Sequence, residues 1–203
     1  MVQQIRHNHT YHLVLLSILT AIILLQNFVP LLGNIPIGAF SLTLIHITVI
    51  IAAIVLGPWD GALIGGIWGI SSCLRAWLSP YSPIEALIFT NPLIAVVPRI
   101  LVGLIAGYAY QWLRKLRFFD VASMAIAGVI GAVTNTVLVL GLIYIFYRTP
   151  YANYLHINFS GLLPALLLIV LTNGIPEAIA AGVIAPAVSK PLLRFRPDRK
   201  KNE

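Results

Sequence analysis

The sequence predicts an all-α polytopic membrane protein, a single membrane domain (1–203) folded as a compact bundle of six transmembrane helices with both termini in the cytoplasm. Three observations carry that prediction. Of its 203 residues, 59% are hydrophobic and only 9% charged, at a mean hydropathy of +0.93. A water-soluble domain carries about 25% charged residues, so this chain lacks the polar side chains to coat a globule in water. Six apolar runs approach or exceed the roughly 20 residues that span a bilayer, at about 12–29, 40–57, 60–78, 92–113, 120–147 and 162–189. Finally, ten of the thirteen Lys and Arg residues fall on one side of such a six-span layout: Arg6, Arg114, Lys115, Arg117, Lys190, Arg194, Arg196, Arg199, Lys200 and Lys201. The positive-inside rule makes that side cytoplasmic.

The first helix follows His7, His9 and His12 rather than a lysine-rich segment, and no small-residue cleavage site follows it, so it reads as a span and not a cleaved leader. Its stretch LLSILTAI places the small residues Ser17, Thr20 and Ala21 on one shallow strip. VPLLGNIPIG (29–38) breaks the chain before helix two, which carries His46, and GPWDG (57–61) turns it into helix three. There Gly61, Gly65 and Gly69 recur every four residues, a ridge that lets helix backbones approach where lipid offers no hydrophobic drive. Trp68, Ser71, Ser72 and Arg75 follow toward the outer end, and Tyr81 sits in the SPYSP break (79–83). A Thr-Asn pair recurs at 90–91, 134–135 and 172–173, putting Asn91 before helix four, Asn135 in helix five and Asn173 in helix six. Gly103 with Gly107, and Gly128 with Ala132, repeat the small-residue ridge. LRKLRFFD (113–120) and RTPYANYLHINFSG (148–161) are the remaining breaks, and residues 190–203 form a basic cytoplasmic tail that meets anionic lipid or an acidic partner.

Arg99 is the residue the lipid solvent makes conspicuous. A guanidinium at bilayer depth costs at least about 2.5 kcal/mol even on the gentlest insertion scale, so it needs a partner. Glu177 as a buried ion pair, the carboxylate or phosphate of a ligand, and snorkelling to the outer interface are the three options. Pro98 removes one helical N–H and frees a carbonyl nearby. Asn135, Asn173 and His46 each read as interhelical glue or as ligand contacts, and Trp68 and Tyr81 as cavity wall and lid or as ordinary interfacial aromatics. Together they concentrate hydrogen-bonding groups in the outer half of the membrane.

Several classes are disfavoured. A single cysteine, Cys73, excludes an intramolecular disulfide and a multi-cysteine metal site. No basic stripe interleaved with stacking aromatics marks a nucleic-acid surface. A serine–histidine protease of the membrane needs a histidine in helix six, and 162–189 has none. Asp60, Asp120 and Asp198 are too dispersed to hold a metal for phosphatidyl transfer. A solitary secondary transporter would show paired broken helices and inverted repeats, and no convincing second copy is present.

The stretches NIPIGAFSLTLIHITVIIAAIVLGPWDGALIGGIWG (34–69) and FTNPLIAVVPRILVGLIAGYAYQWLRK (89–115), within the six-helix layout, resemble the substrate-binding S components of energy-coupling factor (ECF) vitamin transporters, most closely the pantothenate-type members. The resemblance implies a cell-membrane protein that is not an enzyme and holds no cofactor or metal. It implies capture of a vitamin from outside, pantothenate or another small water-soluble vitamin, in a pocket made by helices four to six and the loops 1–2, 3–4 and 5–6. It also implies docking on a transmembrane T component served by two cytoplasmic ATPase subunits, which use the ATP. Members carry an Ala-xxx-Ala docking surface on helix one. Ser17 and Ala21 match it here, with serine in place of the first alanine. For pantothenate, Arg99 would neutralise the carboxylate, and Asn135, Asn173 and His46 would hydrogen-bond the amide and hydroxyls.

Overall fold

The structure, a computed structural model of the chain, describes residues 2–29, 31–37 and 40–195. The basic tail residues Arg196, Arg199, Lys200 and Lys201 lie outside that set, as does the side chain of Arg6. Helix α1 runs Val2–Phe28, followed by strands β1 (Asn34–Ile37) and β2 (Phe40–Thr43), α2 (Ile45–Val55) and α3 (Pro58–Leu78). Then come the short α4 (Pro83–Phe89) and α5 (Pro92–Ala95), α6 (Val97–Lys115), α7 (Asp120–Phe146), the short α8 (Arg148–Tyr154), α9 (Phe159–Ile169), a π-helical turn (Val170–Gly174) and α10 (Ile175–Arg194). Four helical stretches, Thr10–Phe28, Pro92–Lys115, Asp120–Phe146 and Phe159–Arg194, are long and apolar enough to cross a membrane.

Two local features depart from the expected helix pattern. Residues 40–43, expected to open helix two, pair instead as β2 with β1, in antiparallel register from Asn34↔Thr43 to Ile37↔Phe40. Helix two therefore occupies only Ile45–Val55. Pro36 lacks a ladder donor, which a two-stranded hairpin accommodates because both of its strands are edges. Helix six is also not one regular helix. Pro176 has no N–H for the Thr172 carbonyl, and the ladder widens just there into the π turn, with Ile175 N donating to Val170 O.

All eleven residues of α2 are buried. A short helix that is apolar all round belongs at the centre of a bundle. Around it, α3 and α6 run antiparallel with their glycines meeting the opposite backbone in steps of four. A Cβ at Gly69 would lie 2.6 Å from the Ala95 carbonyl and one at Gly107 2.6 Å from Pro58 Cα, while between them Gly65 abuts the Arg99 carbonyl and Gly103 abuts Gly61. Gly128 of α7 meets the Ala181 carbonyl of α10 in the same way, at 2.6 Å. The outward faces are apolar as well: Leu25, Ile145, Ile179 and Val183 are each more than half exposed. That surface suits a hydrocarbon solvent.

Polar pairs tie the two ends. At the end bearing the termini, His12 Nε2 meets Asp60 Oδ2 at 2.9 Å, Arg114 pairs with Asp120, and the Tyr11 hydroxyl donates to the Leu192 carbonyl at 3.1 Å. At the other end, Arg75 of α3 pairs with Glu85 of α4, and both are buried. The Tyr81 ring lies 4.0 Å from the Arg75 guanidinium, Tyr81 N donates to Glu85 Oε2 at 2.6 Å, and the Tyr81 hydroxyl donates to the Asn27 carbonyl at 3.2 Å. Ser72 Oγ donates to Asn27 Oδ1 at 3.0 Å. This network joins the far end of α1 to α3 and α4. Glu85→Gln leaves a buried guanidinium uncompensated and should cost about 3–5 kcal/mol, whereas Arg75→Met with Glu85→Leu should be nearly neutral. Thermal unfolding of the detergent-solubilised protein measures both, and equal loss in the two variants would contradict the account.

Candidate functional site

The site begins at a helix break. α5 ends at Ala95 and α6 starts at Val97, with Pro98 in its first turn. Proline cannot donate to the carbonyl four residues back, which is that of Ile94. Arg99 Nη1 donates to it instead, at 2.6 Å. The guanidinium is held on both sides by aromatic rings, Trp68 of α3 and Phe89 of α4, each 4.8 Å from it. Cation–π contacts of this kind are worth up to about 2 kcal/mol when desolvated. Arg99 is buried, so it does not snorkel, and it makes no ion pair with Glu177. Its Nε has no hydrogen-bond partner. That unpartnered N–H is the donor Arg99 has left for a further acceptor.

His46 opens α2 and is fully buried. Neither ring nitrogen makes a hydrogen bond of normal geometry, and the polar groups that act on the ring are the Arg99 charge and the Thr43 backbone. Glu177, also buried, receives the Thr43 N–H on Oε1 at 2.6 Å, which ties the hairpin to α10. Arg99, Trp68, His46 and the hairpin-bound Glu177 thus draw α6, α3, α2 and α10 toward one region.

The asparagines divide. Asn135 is buried with its Oδ1 unpartnered. Asn173 is half-buried within the π turn, whose Gly174 lies against Thr136 of α7, a methyl there reaching 3.1 Å from Cγ2. Asn91 is used structurally: Oδ1 accepts from Leu93 N at 3.0 Å, capping α5, and Nδ2 donates to the Tyr147 hydroxyl at 3.4 Å. The threonine of each Thr-Asn pair bonds the carbonyl four residues back, at 2.8 Å (Thr90), 2.7 Å (Thr134) and 2.9 Å (Thr172). Tyr81 is not beside Arg99 but in the Arg75–Glu85 network. Phe89, Tyr147 and Tyr151 pack against the apolar cluster of Ile88, Ile94 and Ile143, and burial, then Tyr154, raises the Tyr151 phenol. Among the described residues no cluster of His, Cys, Asp and Glu is arranged to hold a metal. Ser17 and Ala21 lie on the exposed side of α1, opposite Leu15, Leu19 and Ile23.

Sequence reasoning missed Phe89, the Glu177–Thr43 bond and the Glu85 pair. Only the last had a readable signal: Ser82-Pro-Ile-Glu85 has capping-box spacing, and Ser82 Oγ accepts from Glu85 N at 3.3 Å.

The family described as "ECF transporter, substrate-specific component" matches residues 12–189. The pantothenate transporter PanT of Leuconostoc mesenteroides subsp. mesenteroides is 42% identical over 193 residues, covering 92% of this chain and 94% of that protein. The pantothenic acid transporter PanT of Lactococcus lactis subsp. cremoris is 34% identical over 166 residues, covering 76% and 79%. Among solved structures, the S-component for biotin from an ECF-type ABC transporter aligns over 94% of both chains with a TM-score of 0.57 at 16% identity, a likeness of fold alone.

The orphaned oxygen of Asn135 generates a prediction. Removing an unsatisfied buried acceptor relieves a desolvation penalty instead of breaking a bond. Asn135→Ala should therefore leave the unliganded protein's thermal midpoint unchanged or higher while weakening ligand binding. A large drop in the midpoint would make Asn135 structural.

Proposed function

The chain belongs to the substrate-specific (S) components of ECF transporters, and on that premise we propose that it captures pantothenate at the outer half of the membrane for ATP-driven import. It is a multi-pass membrane protein and not an enzyme. The observation that carries the pantothenate reading is Arg99: a buried guanidinium whose Nε has no hydrogen-bond partner and which has no carboxylate to pair with among the described residues. Arginine's planar fork matches a carboxylate bidentately. Pantothenate supplies one carboxylate, and two relatives at 42% and 34% identity bear its transport in their names. Asn135, Asn173 and His46 complete the reading as partners for its amide and hydroxyls, with Trp68 as wall and Asn91 and Tyr81 holding the outer loops.

In this reading the bundle spans the bilayer six times, α9, the π turn and α10 forming the last span, and both termini face the cytoplasm. The support is the placement of Arg114, Lys115, Lys190 and Arg194 at one end and of Arg75 and Arg148 at the other. The chain needs no cofactor of its own. Its partners are the transmembrane T component and two ATPase subunits, and the exposed strip of Ser17 and Ala21 is the surface offered to the T component.

Calorimetry with pantothenate tests the reading. Wild type should bind, and Arg99→Ala should lose at least about thirtyfold in affinity, the effect of truncating one side of a buried charged pair. Arg99→Lys should rescue only part of it, because a point ammonium does not reproduce the fork. Wild type indifferent to pantothenate, or an Ala variant binding as well as wild type, would sink the assignment.

The docking strip is tested separately. Replacing Ser17 and Ala21 with tryptophan fills a shallow surface that lets a partner helix approach closely. Pantothenate binding by the isolated protein should survive while uptake in cells containing the coupling proteins collapses. Undiminished uptake would place docking elsewhere.

A further inference from the structure

Glu177 is a buried carboxylate in a membrane bundle with no cation beside it among the described residues. Such a group persists only where hydrogen-bond donors satisfy its oxygens. One donor is present: Thr43 N reaches Oε1 at 2.6 Å. The second oxygen has none among the described residues. Nearby helices present two further buried groups with open valence, the Oδ1 of Asn135 and both ring nitrogens of His46. The site is therefore asymmetric. On α6 it offers a positive donor edge, that of Arg99, whereas on α7 and α10 it offers acceptors, Asn135 Oδ1 and Glu177 Oε2.

A molecule that satisfies both sides carries an anion at one end and hydrogen-bond donors at the other. Pantothenate does, with a carboxylate at one end and two hydroxyls at the other. We infer that Glu177 is a substrate-binding residue, its second carboxylate oxygen accepting a hydroxyl hydrogen while Arg99 holds the carboxylate. This rests on the pantothenate reading above. It also fixes the orientation, because only the Arg99 end carries a cation to meet the ligand's carboxylate, while Asn135 Oδ1 and Glu177 Oε2 accept at the other end. Because Oε1 holds the hairpin through Thr43, the same side chain joins the bound hydroxyl to the β1–β2 cover.

The test is a cycle of two changes, one on the protein and one on the ligand. Affinities are measured for pantothenate and for two deoxy analogues, each lacking one hydroxyl, against wild type, Glu177→Gln and Glu177→Ala. Wild type should bind at least one analogue roughly ten- to a hundredfold more weakly than pantothenate, the scale for losing a hydrogen bond to a charged group. Glu177→Gln keeps an acceptor for Thr43 N and so keeps the hairpin in place, but it should bind pantothenate roughly tenfold more weakly and discriminate less. Glu177→Ala should bind that analogue and pantothenate equally. A discrimination ratio unchanged from wild type in Glu177→Gln overturns the inference even if Glu177→Ala fails to fold. Wild type that does not bind pantothenate overturns the parent reading, and this one with it. Wild-type binding with Glu177-independent discrimination overturns only the role of Glu177.

Discussion

Where Gly61, Gly65 and Gly69 of α3 meet the α5–α6 segment, no side chain separates the two backbones, and the geometry of the polar site depends on that contact. Lipid gives helices no hydrophobic reason to associate, so close packing over several turns supplies the attraction. The pairing runs in steps of four, with Gly69 against Ala95, Gly65 against Arg99 and Gly61 against Gly103. Trp68 projects from the same stretch of α3 and is thereby carried to the guanidinium of Arg99. A methyl at Gly65 would meet the Arg99 carbonyl itself. The small residues of α3 are thus part of how the arginine is aimed, although none of them touches its charge.

Two buried arginines show what is special about Arg99. Arg75 is matched by Glu85 and roofed by Tyr81, so its charge is already neutralised inside the fold. Arg99 has one carbonyl and two ring faces. A hydrogen bond to a charged group contributes about 1.5–3 kcal/mol and a desolvated cation–π contact up to about 2, against an insertion cost of about 2.5–3.5 kcal/mol on the gentler scale. Those terms offset one another closely enough for the arginine to remain folded in, yet they leave its charge uncancelled. Because Arg99 is not paired with an internal carboxylate, an anion bound there under the proposed reading would have none to displace.

Much of this was legible in the sequence because one solvent dictates it. Apolar runs of bilayer length located the major helices, the four-residue glycine spacing located their contacts, and Arg99 after Pro98 stood out against hydrocarbon. The Pro98 reasoning carries through to the atom, since the carbonyl that proline leaves without a donor is the one Arg99 takes. The hairpin was not legible. Residues 40–43 alternate apolar and polar (Phe-Ser-Leu-Thr), but a four-residue strand is too short for its period of two to be told from a helical run. The π turn was hidden for a related reason: Gly174 and Pro176 signal a weakened ladder, but not whether it kinks or widens. Glu177 is one of three options the sequence leaves open for Arg99, beside a ligand anion and snorkelling to the interface. Depth along a helix does not say which neighbour a side chain faces, and here it faces the hairpin.

The separation of Glu177 from Arg99 has a physical consequence for the site. Had Glu177 paired with Arg99, the fold would hold a neutral dyad at its centre, and a ligand would have to break it. Separation leaves a guanidinium on α6 and a carboxyl group on α10, each with partial satisfaction from backbone: the Ile94 carbonyl for one, the Thr43 N–H for the other. Backbone partners carry no net charge, so neither group is quenched. They also belong to irregular segments, the α5–α6 break and the hairpin, whose peptide groups are free to serve because no regular helix uses them. The breaks in the helices and the buried charges are therefore one arrangement. Each departure from regular helix supplies the polar contact that allows an ionisable side chain to stay at depth, still open to a ligand.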